Sequence, residues 1–376
     1  MSDHQYHSVL PTSNNLNGFS EFDVIDFLVT GEGRALVPGS IYIDFQLEVF
    51  KTGTTPVTSS VADDIIINNR VGAGSVFDSF STETQSKGSI ESLQNYSRYC
   101  NIVSLSTKCD YDLFNSHDQM SGIGPYKANG KEICQPNVLQ KSGAVITRPK
   151  HFVVKPKICF NRSQGGNYDF DKNGYIKVST TMARVNNVLY GFYSATTDQT
   201  YRVSKIALKY QTIPKEQASS TPMIMNSYVS IKSTLNSTQN MIQSTIPSKA
   251  VSGVIATFIK QSDENVFASD ALALQRVHLI DNLRFLFNSN LSERIAYKLT
   301  DINDMVDHAI QVLNNGSSNG AQHNKFKNND GFMVGLDFKD YLDLSQVNFQ
   351  LDLITKESLS GTPVNAYLYF MTLISM

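Results

Sequence analysis

The sequence predicts an all-β protein made of two similar sandwich domains, and three observations carry that reading. The dominant pattern along the chain is period-two alternation rich in β-branched and aromatic residues, which marks strands. The segments so marked lie on both sides of a Pro-, Ser- and Lys/Glu-bearing stretch, Thr212–Pro222 (TIPKEQASSTP), which reads as a linker. The chain has 376 residues, more than one hydrophobic core ordinarily supports.

Before the linker the expected strands are Glu21–Thr30 (EFDVIDFLVT), Ile41–Phe50 (IYIDFQLEVF), His151–Phe160 (HFVVKPKICF), Tyr175–Val185, Val188–Ser194 and Tyr201–Gln211. After it come Ser227–Thr234, Val251–Lys260, Gln275–Phe287, Gly331–Phe338, Val347–Ile354 and Val364–Ser375. Several exceed the usual ~5–6 residues, which favours tall sandwiches over a compact barrel. Helical spacing is expected in only two places. Ser89–Tyr99 (SIESLQNYSRY) sets Ile90, Leu93 and Tyr96 on one side. Asp301–Leu313 sets Ile302, Met305, Val306, Ala309 and Leu313 together, after a Thr300 or Asp301 cap. Long polar loops are expected at Thr107–Pro149 and Asn314–Asp330, lengths that normally serve function or partner contacts. The halves also run parallel: Val76–Thr84 leads through a Ser-rich turn to the helix at Ser89, and Val277–Phe287 leads through Asn288–Ser292 to the helix at Asp301. That repetition supports two related domains, each with a short helix let into the sandwich.

Composition narrows the function. Hydrophobic residues make up 41% of the chain, which excludes wholesale disorder. With 32 Lys+Arg against 34 Asp+Glu, there is no excess of base to neutralise a polyanion. Charged residues are 18%, below the roughly 25% typical of globular domains. Cys100, Cys109, Cys134 and Cys159 are widely spaced with no Cys-x-x-Cys pair, and read as ordinary thiols of a protein made in a reducing cytosol. Residues 1–20 carry no Lys or Arg and no apolar core, so no signal peptide is expected there. No stretch approaches the roughly 20 apolar residues of a membrane span. The Asn-x-Ser/Thr sequons at Asn95, Asn161, Asn236, Asn290 and Asn315 then follow from an Asn- and Ser-rich composition.

The sharpest local motif is Asp169-Phe-Asp171-Lys-Asn173-Gly174-Tyr-Ile176. It fits the opening of a Ca²⁺ loop, with oxygen ligands at Asp169, Asp171 and Asn173 and a Gly for the bend. The twelfth position, which should be a bidentate Glu, is Thr180, and the flanks read as strand or loop. The same residues suit an ordinary turn that tolerates positive φ, which is the preferred reading. His4-x-x-His7 offers only two ligands in a polar arm, and His117, His151, His278, His308 and His323 are scattered. Gly72-Ala-Gly74-Ser-Val lacks the Lys and the strand-to-helix context of a phosphate loop. No Gly-x-Ser-x-Gly elbow or carboxylate pair stands out, so no catalytic residue, cofactor or enzyme activity is expected. Arg148-Pro-Lys150 and Lys325-Phe-Lys327 are short solvated clusters, and with Asp3 the only charged residue among the first twenty (histidines aside), direct nucleic-acid binding is not expected.

Three stretches resemble the double jelly-roll major capsid proteins of tailless icosahedral viruses: the adenovirus-like, virophage, polinton-like and membrane-containing phage lineage. Ala35–Phe50 resembles the early strand, where a Pro/Gly turn leads into a long amphipathic strand. Gly74–Asn101 is similar to a segment that passes from Phe77 through a polar turn to Ile90-Glu91 and Tyr96-Ser-Arg98-Tyr99. Ile246–Phe287, with Pro247 before Val251–Phe258, resembles the opening of the second jelly roll. The resemblance implies an extended N-terminal arm (1–20), a first jelly roll (21–213), a linker (214–222) and a second jelly roll (223–376). It implies a virion protein that self-assembles as pseudo-hexagonal homotrimers into an icosahedral shell. The partners implied are neighbouring capsomers and penton or minor capsid proteins, with the arm a candidate contact to an internal membrane. The rival expectations are a minor virion protein (penton or spike) and a host-attachment, carbohydrate-binding β-sandwich. The last is weakened by the absence of Trp, though 17 Tyr could serve instead.

Overall fold

In the computed structural model the described residues are 3–13, 15, 17–51, 65–68, 71–107, 120–122, 138–140, 149–189, 199–266, 270–277, 280–289, 295–314 and 331–376. Most of the two long loops, the end of the expected strand Val188–Ser194, Cys109, Cys134, His117, His278 and His323 lie outside them.

The first half contributes strands β1 (Gln5–Val9), β2 (Val24–Val29), β3 (Arg34–Leu36), β4 (Tyr42–Lys51), β5 (Ile65–Ile66), β6 (Phe77–Thr84) and β7 (Gly88–Leu93). Helix α1 (Tyr96–Thr107) follows, then β8 (Val138–Gln140), β9 (Lys150–Val154), β10 (Ser163–Gly165), β11 (Tyr168–Asp169), β12 (Ile176–Met182) and β13 (Gln199–Pro214). The second half contributes β14 (Met223–Leu235), β15 (Gln239–Thr245), β16 (Val251–Lys260), β17 (Ile280–Ser289), β18 (Ile295–Leu299), helix α2 (Ile302–Asn314), β19 (Met333–Leu342), β20 (Val347–Thr355) and β21 (Val364–Ser375).

The same strand order appears twice. In the second half one sheet runs β14-β21-β16-β19 and its mate β15-β20-β17-β18. Counting along the chain, these are first-eighth-third-sixth and second-seventh-fourth-fifth, the order of a jelly roll. In the first half β1-β13-β4-β9 and β2-β12-β6-β7 repeat it, with β3 and β11 added at one edge and β5–β8 as a small separate ladder. The fold is therefore all-β, two consecutive jelly rolls. The expected parallel holds with one more strand in each half before the helix: β6–β7 is followed by α1, and β17–β18 by α2.

Inward residues close each sandwich. Ile43, Phe45, Leu47 and Val49 of β4 face Phe77 and Phe80 of β6, with the Phe45 and Phe77 rings edge to face at 5.7 Å. In the second sandwich Leu368 and Phe370 of β21 meet Phe349 of β20, the last two rings 4.7 Å apart. The outward residues of β4, Tyr42, Asp44, Gln46 and Glu48, are polar and only half-buried, the alternation of a sheet with one wet face. β16 and β21 instead read as near-continuous apolar runs, because their sheet is covered twice. The mate sheet lies on one face. On the other, Gly253 and Gly335 leave room for α2, whose Val312 and Ala309 occupy the space that Cβ atoms there would need.

Four sequence expectations change. Ser89–Leu93 is the strand β7, paired with β6 through Phe80↔Leu93, and the helix begins only at Tyr96. Gly88 (φ 70) and Asn95 (φ 52) turn the chain into and out of that strand. The strand expected over His151–Phe160 ends at Val154; Pro156, which has no N–H to give a ladder, follows, and Cys159–Arg162 forms a 3₁₀ turn. Val185–Val188 is a single helical turn where strands were expected to end and begin. The N-terminal residues are extended, as an arm would be, but Gln5–Val9 is seated on this chain's own β13 (Gln5↔Thr212 to Val9↔Leu208). Its ladder bonds are made there, and His7 stacks on Tyr210 at 4.8 Å.

Candidate functional site: a polar seam between the sandwiches

The first turns of α1 plug into the second sandwich. Asn95 reverses the chain at positive φ, and the carbonyls before the helix face the other half. Tyr228 and Ser230 hydroxyls donate to Gln94 O (3.2 and 2.9 Å), and the Tyr369 hydroxyl donates to Asn95 O (3.2 Å). Arg98 donates to the carbonyls of Ala273 (2.8 Å) and Ala271, and Asn101 to that of Leu272 (2.8 Å). Tyr99 lies against Tyr228 (4.0 Å between centroids) and Tyr369 (5.7 Å). An aromatic floor with its hydroxyls bonded at the rim combines apolar burial with satisfied polar atoms.

At the centre sits a buried ion pair. The Glu91 side chain is fully enclosed and that of Arg162 is 17% exposed, with Nη2 to Oε1 at 3.1 Å. Glu91 also accepts from Cys159 N (2.8 Å) and from the Ser227 hydroxyl (2.6 Å), the latter contributed by β14. Arg162 Nη1 donates to the Tyr99 hydroxyl at 2.8 Å. Burial by itself would lower the Arg162 pKa, but the Tyr99, Glu91 and Tyr228 oxygens around it hold it above its ordinary value. Burial, and then Glu91, push the Cys159 thiol well up, and the residue is fully enclosed in the core, an environment that disfavours the thiolate.

A second cluster flanks the first. Burial would raise the Glu264 carboxyl, but a hydrogen bond from Tyr367, the charges of Arg98 and Lys232 and the Asn365 amide outweigh it and hold its pKa below the usual value. Lys232 Nζ stands 3.2 Å away and Arg98 3.9 Å, the latter guanidinium 4.3 Å over the Tyr367 ring. Asn68 completes the crossing contacts, donating to both Asp270 oxygens at 2.8 Å. Finally β10, a piece of the first half, pairs with β14 (Ser163↔Met225, Gly165↔Met223). Gly166 passes so close that a Cβ would lie 1.8 Å from Thr221 O. Chemically this seam holds two bodies together: its carboxylates are engaged, Glu91 by Arg162, Cys159 N and the Ser227 hydroxyl and Glu264 by Lys232, Tyr367 and Asn365, and its thiol is protonated.

The Asp169 turn is occupied from within. Asp169 Oδ1 accepts from Asp171 N (2.9 Å) and Lys172 N (3.3 Å), capping the turn Phe170–Asn173. Asp171 accepts from Gly33 N (2.9 Å), and Asn173 donates to Asp169 O (3.2 Å). Lys215 Nζ lies 3.4 Å from Asp169 and 3.2 Å from Asp171, so an ammonium stands between the two carboxylates. No group of three or more His, Cys, Asp or Glu that could hold a metal occurs among the described residues. Of the described histidines, His4 is exposed, His7 bonds Thr212 Oγ1 (2.9 Å), His151 bonds Asp44, and His308 receives Asp337 N (3.4 Å). No described helix is long and apolar enough to cross a membrane.

Glu91, Arg98 and Tyr99 belong to a stretch that carries the family resemblance, but nothing local in the sequence places them at a seam, and Arg162, Ser227, Tyr228, Glu264 and Tyr369 stand in no motif. One signal was present. Glu91 shares the buried phase of β7 with Leu93, and a charge on that phase calls for a buried partner.

No family model matches the sequence, and no curated protein matches it. Solved structures do match. The chain is similar to the PBCV-1 protein VP54 as fitted into a reconstruction of the virophage Sputnik: TM-score 0.60, 11% identity, 100% of this chain and 95% of that one. It is similar to the Faustovirus major capsid protein (TM-score 0.56, 9% identity, 100% and 90% covered) and to the mavirus major capsid protein (0.50, 12%, 98% and 86%). At such identities the likeness carries the fold, the double jelly roll, along the length of the chain.

Proposed function

We propose that this chain is a major capsid protein, assembling as a homotrimer whose six sandwiches form a pseudo-hexagonal capsomer of an icosahedral shell. The observation that carries the reading is the superposition of both sandwiches, in one chain and in order, on major capsid proteins over nearly their whole length. The seam supports it: a tile must keep its two halves in fixed relation, and here the hydrogen bonds of Glu91, Arg98, Asn101 and Asn68 to the second half, the Arg98–Glu264 contact and the β10–β14 pairing do so. The near balance of charge supports it as well, since like copies packed side by side repel little. The role is structural and non-enzymatic, in the virion, with neighbouring capsomers and penton or minor capsid proteins as partners. The linker is 214–222, the second jelly roll is 223–376, and the first takes in the residues before 214, β1 included. The Asp169–Gly174 turn is a structural corner that Lys215 neutralises.

Native mass spectrometry and negative-stain imaging of the purified chain test the proposal. A particle of about three times the 41.8 kDa chain, hexagonal in outline, is expected. A pentamer would point to a penton, and a monomer at high concentration would overturn the reading.

A further inference from the structure

The turn that leads into β2 holds an aromatic ring out in solvent. Phe22 has φ 66, a conformation that bulky residues rarely adopt, and it is 61% exposed. The turn around it is fixed. Ser20 N donates to Asp23 Oδ2 (2.7 Å) and Asp23 N to Ser20 O (3.1 Å). At the end of β12, Phe22 N donates to Met182 O (3.2 Å) and Met182 N to Asp23 O (2.9 Å). Glu21 is held as well, its carboxylate accepting from Val185 N at 3.2 Å. Backbone strain persists only where the surroundings over-determine it, and it clusters at sites of function. Here it is spent on a ring that stands outside the core, between two carboxylates and beside Val24, itself 56% exposed.

The second sandwich has a cavity of about 220 Å³ between its β16–β17 and β20–β21 connections, with Phe258, Ile259, Val277, Leu359 and Val364 as apolar walls. An apolar cavity of roughly 150 Å³ already holds a benzene ring. Exposed Lys260, Arg276 and Glu357 complete its lining, two cations against one carboxylate. Ring and cavity lie at the same end of the molecule. Phe22 sits where β12 ends, and the cavity where β20 ends, the seventh strand of each jelly roll. The sandwiches stand in the same sense. Asn68, between the third and fourth strands of the first, bonds Asp270, between the third and fourth of the second. At the opposite end Lys87, in the β6–β7 turn, reaches Ser375 O at the close of β21 (3.2 Å).

We propose that Phe22 is a knob that enters this cavity in the next copy of the chain, with Glu21 and Asp23 brought against Lys260 and Arg276. Size, level and charge all select this occupant. The cavity admits a phenyl ring, rotation about an axis along the strands leaves ring and cavity at one level, and the carboxylates beside the ring complement the cations at the rim. An aromatic side chain in a desolvated pocket ringed by polar groups is the build of an interface hot spot. The contact is heterologous, first sandwich to second, so a suitable rotation closes it into a ring in which the two kinds of sandwich alternate. It rests on the capsid reading for its setting, as the contact that repeats around the trimer.

The test is sedimentation velocity of the full chain over a dilution series, with urea added until wild-type trimers begin to part, as wild type, Phe22→Asn and Leu359→Trp. Asn tolerates positive φ, so Phe22→Asn removes the ring without adding strain, while Leu359→Trp fills the hole. Both variants should keep the wild-type circular dichroism and need a concentration roughly tenfold higher or more to form trimers. In a second measurement, oxidised Phe22→Cys/Leu359→Cys should run as covalent dimers and trimers on a non-reducing gel, and neither single cysteine variant should. Trimers as stable as wild type in both folded variants, or no covalent species from the cysteine pair, would overturn the proposal and leave the capsid reading standing. A wild-type ring of another count that Phe22→Asn dissolves would uphold the contact and overturn the capsid reading. A wild type that stays monomeric overturns both.

Discussion

Glu91→Gln removes the negative charge at the centre of the seam while keeping the side chain's size. The carboxylate it replaces is fully enclosed and accepts from Cys159 N, Arg162 Nη2 and Ser227 Oγ. An amide must turn its NH₂ toward at least one of these donors, so one bond becomes a donor–donor contact and Arg162 loses its counter-charge. Removing one partner of a buried ion pair costs about 3–5 kcal/mol; with Arg162 17% exposed, the lower end, about 3 kcal/mol, applies. A chain of 376 residues that unfolds as one unit gains entropy near 0.8 kcal/mol/K, at about 2.1 cal/mol/K per residue. The expected fall in Tm is therefore roughly 4 °C, read by scanning calorimetry. Glu91→Leu with Arg162→Met, an apolar pair of similar volume, should recover most of that loss, because the pair's desolvation is then no longer required. A Glu91→Gln shift below about 1 °C, or a double variant worse than the single, would refute the account of the seam.

Gly166→Ala should lower the urea midpoint by the equivalent of about 1–3 kcal/mol, since its Cβ meets the Thr221 carbonyl and not a movable side-chain end; an unchanged midpoint would show that the crossing yields freely. His7 gives a pH dependence. Burial first and the Arg34 charge second lower its pKa from 6.5, so the undocked strand binds more protons, and β1 docking weakens as pH falls through 6.5 and below. Hydrogen exchange of residues 5–9, corrected for intrinsic rates, should speed up over that window in wild type and not in His7→Gln; equal profiles would count against it. Asp169→Ala should cost about 1 kcal/mol through the lost cap, measurable in urea, and wild type should bind no Ca²⁺ by calorimetry while Lys215 holds the carboxylates.

What the sequence disclosed follows the range of the interactions involved. The long strands β4 and β13 were legible because each carries its own period, and β16 and β21 because each is a long apolar run rich in β-branched and aromatic residues. The α2 helix was legible because its apolar stripe and Asp301 cap, which receives Asn303 N at 2.7 Å, are local. β7 was misread as helix because Ile90, Leu93 and Tyr96 satisfy helical spacing, whereas the deciding partner, β6, and the positive φ at Asn95 leave no local trace. The seam was hidden for the same reason. Glu91 finds Arg162 71 positions away and Ser227 136 positions away, and no short-range pattern encodes such a meeting. β1 escaped notice because its outward residues are polar and its inward face is largely His7 on Tyr210, so it lacks the alternation that marks the other strands.

The division into two jelly rolls is one of topology more than of energy. Tyr228, Tyr367 and Tyr369 belong to the second sandwich, yet they are buried (1%, 3% and 0% exposed) with the first half among their neighbours. Separating the halves would return those rings to water and leave Glu91 and Arg162 without Ser227 and Tyr228, so the cost of parting them grows with every polar atom the seam satisfies. The linker is held as well: Lys215 N donates to Gly33 O, and Ser219 N to Asn167 Oδ1 at 3.0 Å. A hinge needs few contacts and free φ/ψ at its pivot, and this crossing has neither. The seam therefore opposes relative motion of the two sandwiches, since opening it would strip Glu91, Arg98 and Asn101 of partners on the far side.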